Sequence, residues 1–228
     1  MINKLVYAGG AAPPPSGTLL TDTFSATFIS TDQTFNNVNI NTASSNRNIV
    51  LVLGFSALNN TTDVTGITVN GVSMTLYYGT NISNSTSMQT IIASGLVTTG
   101  ALVDIVVSCT DSSYSIGCAV YASYISEGAF TLVDDVSSNE NTNTNSYLTD
   151  IAIQLGGVLF YGCADRNANT SATITWTGTD NVVDQPYVSM VRTLHHGFIE
   201  CTETTTTDDL LISVSGTDKV ARQSVSFI

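Results

Sequence analysis

The sequence predicts an all-β protein: an antiparallel two-sheet sandwich, jelly-roll-like, preceded by an extended N-terminal arm. Three observations predict it. Apolar residues recur at period two in short runs bounded by Gly, Asn, Thr and Ser, an Asn70-Gly71 pair joins two such runs, and no segment of ten residues carries helical periodicity between caps. Strands at short, turn-punctuated intervals fit facing antiparallel sheets better than alternating β and α units. About twelve strands are expected, more than the roughly seven to nine of an immunoglobulin domain. Residues 1–19 are therefore read as an arm and 20–228 as one sandwich, with the polar tract at 137–146 as the place where a second domain would begin.

Taken in order, Asn3 to Ala8 has the composition of a strand, and Pro13-Pro14-Pro15 favours polyproline geometry that cannot enter a central strand. Such an arm either lies on a neighbouring subunit or frays. Phe24, Ala26 and Phe28 alternate with Ser25 and Thr27, giving a first strand over 20–30. Asp32 to Asn48 is polar, anchored by Phe35, Val38 and Ile40. Ile49 to Phe55 is apolar at every position except Gly54, as expected of a strand covered on both faces. Ile67 and Val69, then Val72, Met74 and Leu76, give two half-buried strands closed by Asn70-Gly71, because a type I′ turn needs φ > 0 at both central residues. Asn81 to Thr86 reads as a loop, Met88 to Val97 as a strand, and Thr98-Thr99-Gly100 as a turn.

Leu102 to Cys109 and Tyr114 to Ile125 are expected to pair as a hairpin over Thr110 to Ser113. Phe130 to Val136 is a further strand, and Ser137 to Ser146 an exposed loop tip. Strands resume at Ile151 to Gly162, at Ala172-Ile174-Trp176, at Tyr187 to Ile199, and at Leu210-Ile212-Val214. Val225 and Phe227 extend the pattern to the end, so the C-terminus should be pinned in a sheet.

Composition narrows the function classes. Six basic residues face eighteen acidic ones for a net charge of −12, and only 11% of residues are charged, against about 25% in typical domains. The bases, Lys4, Arg47, Arg166, Arg192, Lys219 and Arg222, are scattered, which argues against nucleic acid and against an anionic membrane surface as partners. The first residues lack the apolar length of a signal peptide and no stretch is long enough for a membrane helix, so synthesis in a host cytoplasm is expected. Cys109, Cys118, Cys163 and Cys201 match neither zinc spacing nor a disulfide scaffold. Cys109 lies in line with Val103, Ile105 and Val107, which makes it a buried thiol, with a Cys109–Cys118 bridge as the alternative.

No residue is assigned a catalytic, cofactor-binding or metal-binding role. His195 and His196 are adjacent on a strand and so point to opposite faces, one packed and one exposed, unable to share an ion. No G-x-S-x-G elbow accompanies the serines, and a Cys201 pairing with His195 or His196 has no supporting motif. Asp134-Asp135, Asp208-Asp209, and Asp180 with Asp184 place carboxylates near each other, as calcium sites or glycosidases do, but without a calcium-loop pattern they read as turn residues. Trp176 with Tyr77, Tyr78, Tyr114, Tyr121, Tyr124 and Tyr187 could form a sugar platform, although Trp176 shares a face with Ala172 and Ile174 and reads as core. The N-x-S/T triplets at Asn59, Asn60, Asn81, Asn84 and Asn169 follow from composition.

From Arg47 to Val136, the runs R-x-I-V-L-V-L-G-F, T-V-N-G-V-S-M-T-L, I-I-A-S-G-L-V-T-T-G-A-L-V-D-I-V-V and G-C-A-V-Y-A-S-Y resemble the β-sandwich domains of bacteriophage virion proteins, of the capsid-decoration or tail-associated type, and of some bacterial surface proteins. The resemblance implies a jelly-roll-like structural module of the particle. It implies capsid or other virion proteins as partners, homo-oligomers, a virion location, and no enzymatic activity. The alternative is a carbohydrate-binding, host-recognition module with a glycan as partner. The resemblance carries no site residues.

Overall fold

The structure, a computed structural model, describes residues 16–28, 31–57, 62–79, 87–111, 114–124, 130–140, 146–165, 172–177, 181–189, 193–201, 204–214 and 220–228. Every regular element among them is a strand, and no helix is long and apolar enough to cross a membrane. The first half holds β1 (Ser16–Phe28), β2 (Asp32–Asn39), β3 (Arg47–Ala57), β4 (Val64–Val69), β5 (Val72–Ser73), β6 (Thr75–Tyr78), β7 (Ser87–Leu96), β8 (Leu102–Cys109) and β9 (Tyr114–Tyr124). The second half holds β10 (Leu132–Glu140), β11 (Ser146–Ile153), β12 (Val158–Asp165), β13 (Ala172–Trp176), β14 (Asn181–Ser189), β15 (Thr193–Glu200), β16 (Thr205–Val214) and β17 (Val220–Phe227).

The strands form antiparallel sheets packed face to face, as the period-two pattern predicts. Among the described residues there are four sheets, in two pairs. In the first half an inner sheet, β1-β9-β3-β7-β6, faces an outer sheet, β2-β8-β4-β5. In the second half an inner sheet, β10-β17-β12-β15-β14, faces an outer sheet, β11-β16-β13. Matching β1 with β10, β2 with β11, β3 with β12 and so on to β9 with β17 superposes the two strand orders, except that β5 has no counterpart. In each half the first strand lies beside the last, a jelly-roll-like winding. The chain passes from one pair to the other within 125–131, not in the polar tract at 137–146. Ser137 to Glu140 of that tract belong to β10, paired up to Glu140 with Val220. Of the arm expected over 1–19, residues 1–15 lie outside the described residues, and Ser16 to Leu19 belong instead to β1, where they pair with Tyr124 to Tyr121.

Three apolar layers follow from this stacking. Between the sheets of the first pair lie Phe35 and Val38 of β2, Ile49, Leu51, Leu53 and Phe55 of β3, Ile67 and Val69 of β4, and Val103, Ile105 and Val107 of β8. Between the sheets of the second pair lie Ile151, Leu159, Tyr161, Ile199, Leu210 and Ile212, with Trp176 half-buried against them. The third layer joins the inner sheets, with Val50, Val52 and Ile92 from one and Val158, Phe160, Leu194, Phe198, Val225 and Phe227 from the other. Because β3 is covered on both faces, all of Arg47–Ala57 is buried. Each fully buried aliphatic side chain contributes about 1.5–3 kcal/mol.

Pairing differs from expectation where one strand follows another across a sandwich. β8 pairs with β2 and β4, whereas β9 pairs with β1 and β3, so Leu102–Cys109 and Tyr114–Tyr124 belong to facing sheets and form no hairpin. Cys109 is a buried thiol outside any disulfide. The Asn70-Gly71 turn is present, with φ of 51° and 76°, but only Thr68–Ser73 and Val69–Val72 pair across it. At buried Met74 the chain changes sheets, so β6 pairs with β7, and Val72 is exposed instead of sharing a buried face with Met74. The runs Ile151–Gly162 and Tyr187–Ile199 each contribute to two strands, β11 and β12 in the first and β14 and β15 in the second. β17 lies between β10 and β12 with all eight residues buried, which pins the C-terminus as expected.

Candidate functional site

The only two histidines lie at Leu194–Gly197 of β15, and neither is exposed. His195 pairs across the sheet with Cys163, which pairs on its other side with Arg222. These three side chains share the face turned to the outer sheet of the second half, and Asp165 follows two residues after Cys163 on the same face. All four are buried. Arg222 Nε donates to Ile212 O of β16 at 3.2 Å. His196 takes the opposite face beside Gly162 and is 1% exposed against the first half. The expectation of one packed and one exposed imidazole fails because the inner sheet is covered on both sides.

Burial decides the chemistry of this row. Desolvation pushes the Cys163 thiol up to about 12; Arg222 opposes that rise and Asp165 reinforces it. Desolvation holds both imidazoles down to about 4, with the neighbouring His195 adding to the effect at His196. A cysteine nucleophile needs the reverse, a thiolate beside an imidazolium. The row is a polar layer inside a sandwich, and it brings Cys163, not Cys201, beside His195. Cys201 is buried at the end of β15, its Sγ donating to Ile199 O at 3.7 Å.

Arg47, the first residue of β3 in the first sandwich, is fully buried. Its Nε donates to Val97 O at 2.9 Å, Nη1 to Asn41 O at 2.7 Å and Ile40 O at 3.3 Å, and Nη2 to Thr99 O at 2.8 Å. The guanidinium fork thereby ties the 40–41 loop to the 97–99 turn. Both buried arginines look like solvated flanks in the sequence, and nothing in their spacing marks them.

Two of the paired carboxylates, Asp134 and Asp209, accept from backbone N–H groups. Asp134 accepts from Asp135 N at 2.9 Å and, through its other oxygen, from Ala152 N at 2.9 Å, linking β10 to β11. Asp209 accepts from Asp150 N at 3.1 Å, while its own N–H donates to Thr177 Oγ1 at 2.7 Å. The Asp208 and Asp184 side chains, and all of Asp180, lie outside the described residues, as do the side chains of Tyr114, Tyr121, Tyr124 and Tyr187. Among the described residues no three His, Cys, Asp or Glu side chains converge to hold a metal ion.

The inner sheets approach closely, and one hydroxyl is built into both. Thr90 Oγ1 of β7 donates to Ala221 O at 2.5 Å and accepts from Ala164 N at 2.9 Å. At the margin of this interface opens a cleft of about 350 Å³, near the lower end of the roughly 300–1,000 Å³ range of ligand pockets. Tyr77, Leu96 and Phe130 form apolar walls, and Asn48, Thr75 and Ser94 line it with polar groups. Phe227 supports both rings, 5.6 Å and edge-on from Tyr77 and 4.9 Å and tilted from Phe130. The structure therefore places Tyr77 at the cleft, leaves Tyr78 48% exposed on the opposite face of β6 and outside the lining, and sends Trp176 to the other sandwich. Phe130, which no aromatic motif announces, is what the connecting segment adds.

Compared with known proteins, the chain matches no family model, no curated protein and no solved structure.

Proposed function

We propose that the protein is a structural component of a bacteriophage particle, a capsid-decorating or minor capsid subunit on the outer surface, working through contacts with shell proteins and sibling copies and without catalysis. The observation that carries this reading is the outward face of the first outer sheet. Asn36, Asn37, Thr65, Ser73 and Leu102 are exposed there, with Leu102 63% exposed, among few charges such as Asp104. Uncharged hydroxyls and amides lose water on contact at far lower cost than carboxylates or ammonium groups. Jelly-roll-like sandwiches serve as capsid modules and as lectins alike, so the winding is compatible with the reading without selecting it. Quantitative mass spectrometry of purified particles tests it: the protein should be present at a fixed stoichiometry, and its absence from particles would refute the assignment.

A second reading, a glycan-binding host-recognition module, draws on Tyr77 and Phe130 lining the cleft and, separately, on Tyr78, exposed on the opposite face of β6. It requires glycan-array binding that Tyr78→Ala or Tyr77→Ala abolishes, and an empty array rejects it.

A further inference from the structure

We propose that Asn70 is a self-modification site. It converts to aspartate and isoaspartate by attack of the Gly71 backbone nitrogen on the Asn70 carboxamide, at a rate restrained by the hydrogen bond from Asn70 to Thr99. The inference stands whether or not the protein belongs to a particle.

An asparagine modifies itself when the backbone nitrogen of the next residue reaches its Cγ, and glycine hinders that approach least because it has no β-carbon. Asn70-Gly71 is the single Asn-Gly pair in the chain. Both residues are exposed, and a β-carbon placed on Gly71 would meet nothing within 4 Å, so water and hydroxide have access to the pair. Gly71 N lies in the two-residue loop, outside the ladder that ends at Val69–Val72, whereas Asn70 N is bound to Asp104 O at 2.9 Å. The hairpin is also shallow. Only Thr68–Ser73 and Val69–Val72 pair across it before the chain changes sheets at Met74. Few bonds therefore hold Asn70 at its φ of 51°, the left-handed conformation that ring closure must undo.

The chemistry needs only water and hydroxide. Hydroxide takes the Gly71 N–H proton, the nitrogen bonds to Asn70 Cγ, and the Cγ–Nδ2 bond breaks. Water protonates the departing nitrogen, which leaves as ammonia and regenerates the hydroxide. The succinimide ring so formed is then opened by a second water. Cleavage between the nitrogen and Cγ gives aspartate, and cleavage between the nitrogen and the Asn70 backbone carbonyl carbon gives isoaspartate, with the main chain rerouted through Cβ and Cγ. In both cases a carboxylate replaces the carboxamide and its acid proton passes to ammonia.

The leaving nitrogen is the atom that the fold restrains. Asn70 Nδ2 donates to Thr99 Oγ1 at 3.1 Å and to Thr99 O at 3.5 Å, and Arg47 fixes the same carbonyl at 2.8 Å. To swing onto Gly71 N, the carboxamide gives up these contacts. After conversion a carboxylate has no proton to donate to either oxygen of Thr99, so the tie between the 70–71 turn and the 98–100 turn is lost. The modified chain also gains a negative charge at the end of an outer sheet whose outward face carries few.

The test incubates the full chain at mildly alkaline pH and maps it by mass spectrometry after cleavage on the N-terminal side of aspartate. That cleavage releases Asp63–Val103, which contains Asn70, Asn81 and Asn84. Conversion is expected to accumulate at Asn70 ahead of the other two. Its aspartate form is revealed by new cleavage before residue 70, and its isoaspartate form by resistance to that cleavage and by enzymatic methylation specific to isoaspartate. Thr99→Val should speed conversion by about two- to fivefold, the factor that one exposed hydrogen bond contributes. Thr99→Ser keeps the hydroxyl and should retain the wild-type rate. Conversion at Asn70 no faster than at Asn81 or Asn84 would overturn the proposal, as would an unchanged rate in Thr99→Val. Equal acceleration in Thr99→Ser and Thr99→Val would overturn it too, by tracing the effect to a loosened turn instead of the hydroxyl.

Discussion

Gly162 of β12 sits where the two inner sheets come closest, and replacing it with alanine tests the whole four-layer arrangement. A β-carbon there would lie well inside van der Waals contact of Val52 Cγ1 and 2.8 Å from Thr90 Cγ2, both on the facing sheet. Carbon atoms pack at about 3.5–4.0 Å, so either Val52 rotates or the layers part by close to 1 Å. Overpacking of this kind costs about 1–3 kcal/mol. Gly66 of β4 supplies the comparison, because a β-carbon there meets nothing within 4 Å. Gly66→Ala should stabilise by about 0.4–1 kcal/mol by reducing the freedom of the unfolded chain. Urea unfolding followed by the single tryptophan, Trp176, reads both effects. With a slope of about 3 kcal/mol/M, Gly162→Ala should lower the midpoint by roughly 0.3–1 M and Gly66→Ala should raise it slightly. Val52→Ala, costly alone, should become less so when combined with Gly162→Ala, with a coupling of about 1 kcal/mol or more. Additive effects for that pair, or a neutral Gly162→Ala, would refute the close approach of the inner sheets.

Three further expectations follow from the buried polar groups and the topology. Both imidazoles titrate near 4 in the fold and near 6.5 when unfolded, so the unfolded chain binds the extra protons. The stability that neutral His195 and His196 contribute is complete above about pH 6.5 and lost as pH falls toward 4, at up to about 3 kcal/mol each; thermal unfolding of His196→Gln between pH 7 and 4 should show a shallower decline than wild type. Arg47→Ala leaves Val97, Asn41 and Thr99 carbonyls without the guanidinium and should cost more than about 3 kcal/mol in denaturant, with Arg47→Lys recovering little because the forked donor geometry is lost. Truncation before Val220 removes a strand with neighbours on both sides, and the product should lack cooperative unfolding by calorimetry.

How far the sequence reveals this molecule depends on which physical signal a residue carries. β3 was legible because burial on both faces leaves a continuous apolar run, and the Asn70-Gly71 turn because only certain residues accept positive φ. Partner choice was not legible at β8 and β9. Alternation says which side chains face inward, and the connection over 110–113 that links two sheets has the length of a hairpin loop. Ser137 to Glu140 look like loop because their polar side chains disguise backbone paired along the edge of the second inner sheet. The repetition of one half by the other leaves a faint trace, Val50-Leu51-x-x-Gly54 against Val158-Leu159-x-x-Gly162, in which the apolar alternation and the close-approach glycine recur in register. The cleft was the least accessible feature, since it needs Asn48, Tyr77, Leu96 and Phe130 from separate strands and a connecting segment.

The placement of β9 and β17 sets an order of events during synthesis. β9 completes the first sandwich at Tyr124, whereas the second cannot close until β17 emerges and enters between β10 and β12. At about 5–20 residues per second, the remaining hundred or so residues take roughly 5–20 s to emerge. Throughout that interval the first half is able to fold while Val50, Val52 and Ile92 still await the surface that will cover them. Two nascent chains close together on one message expose the same sticky face at the same moment, so the spacing of ribosomes bears directly on how much of this protein reaches its monomeric fold.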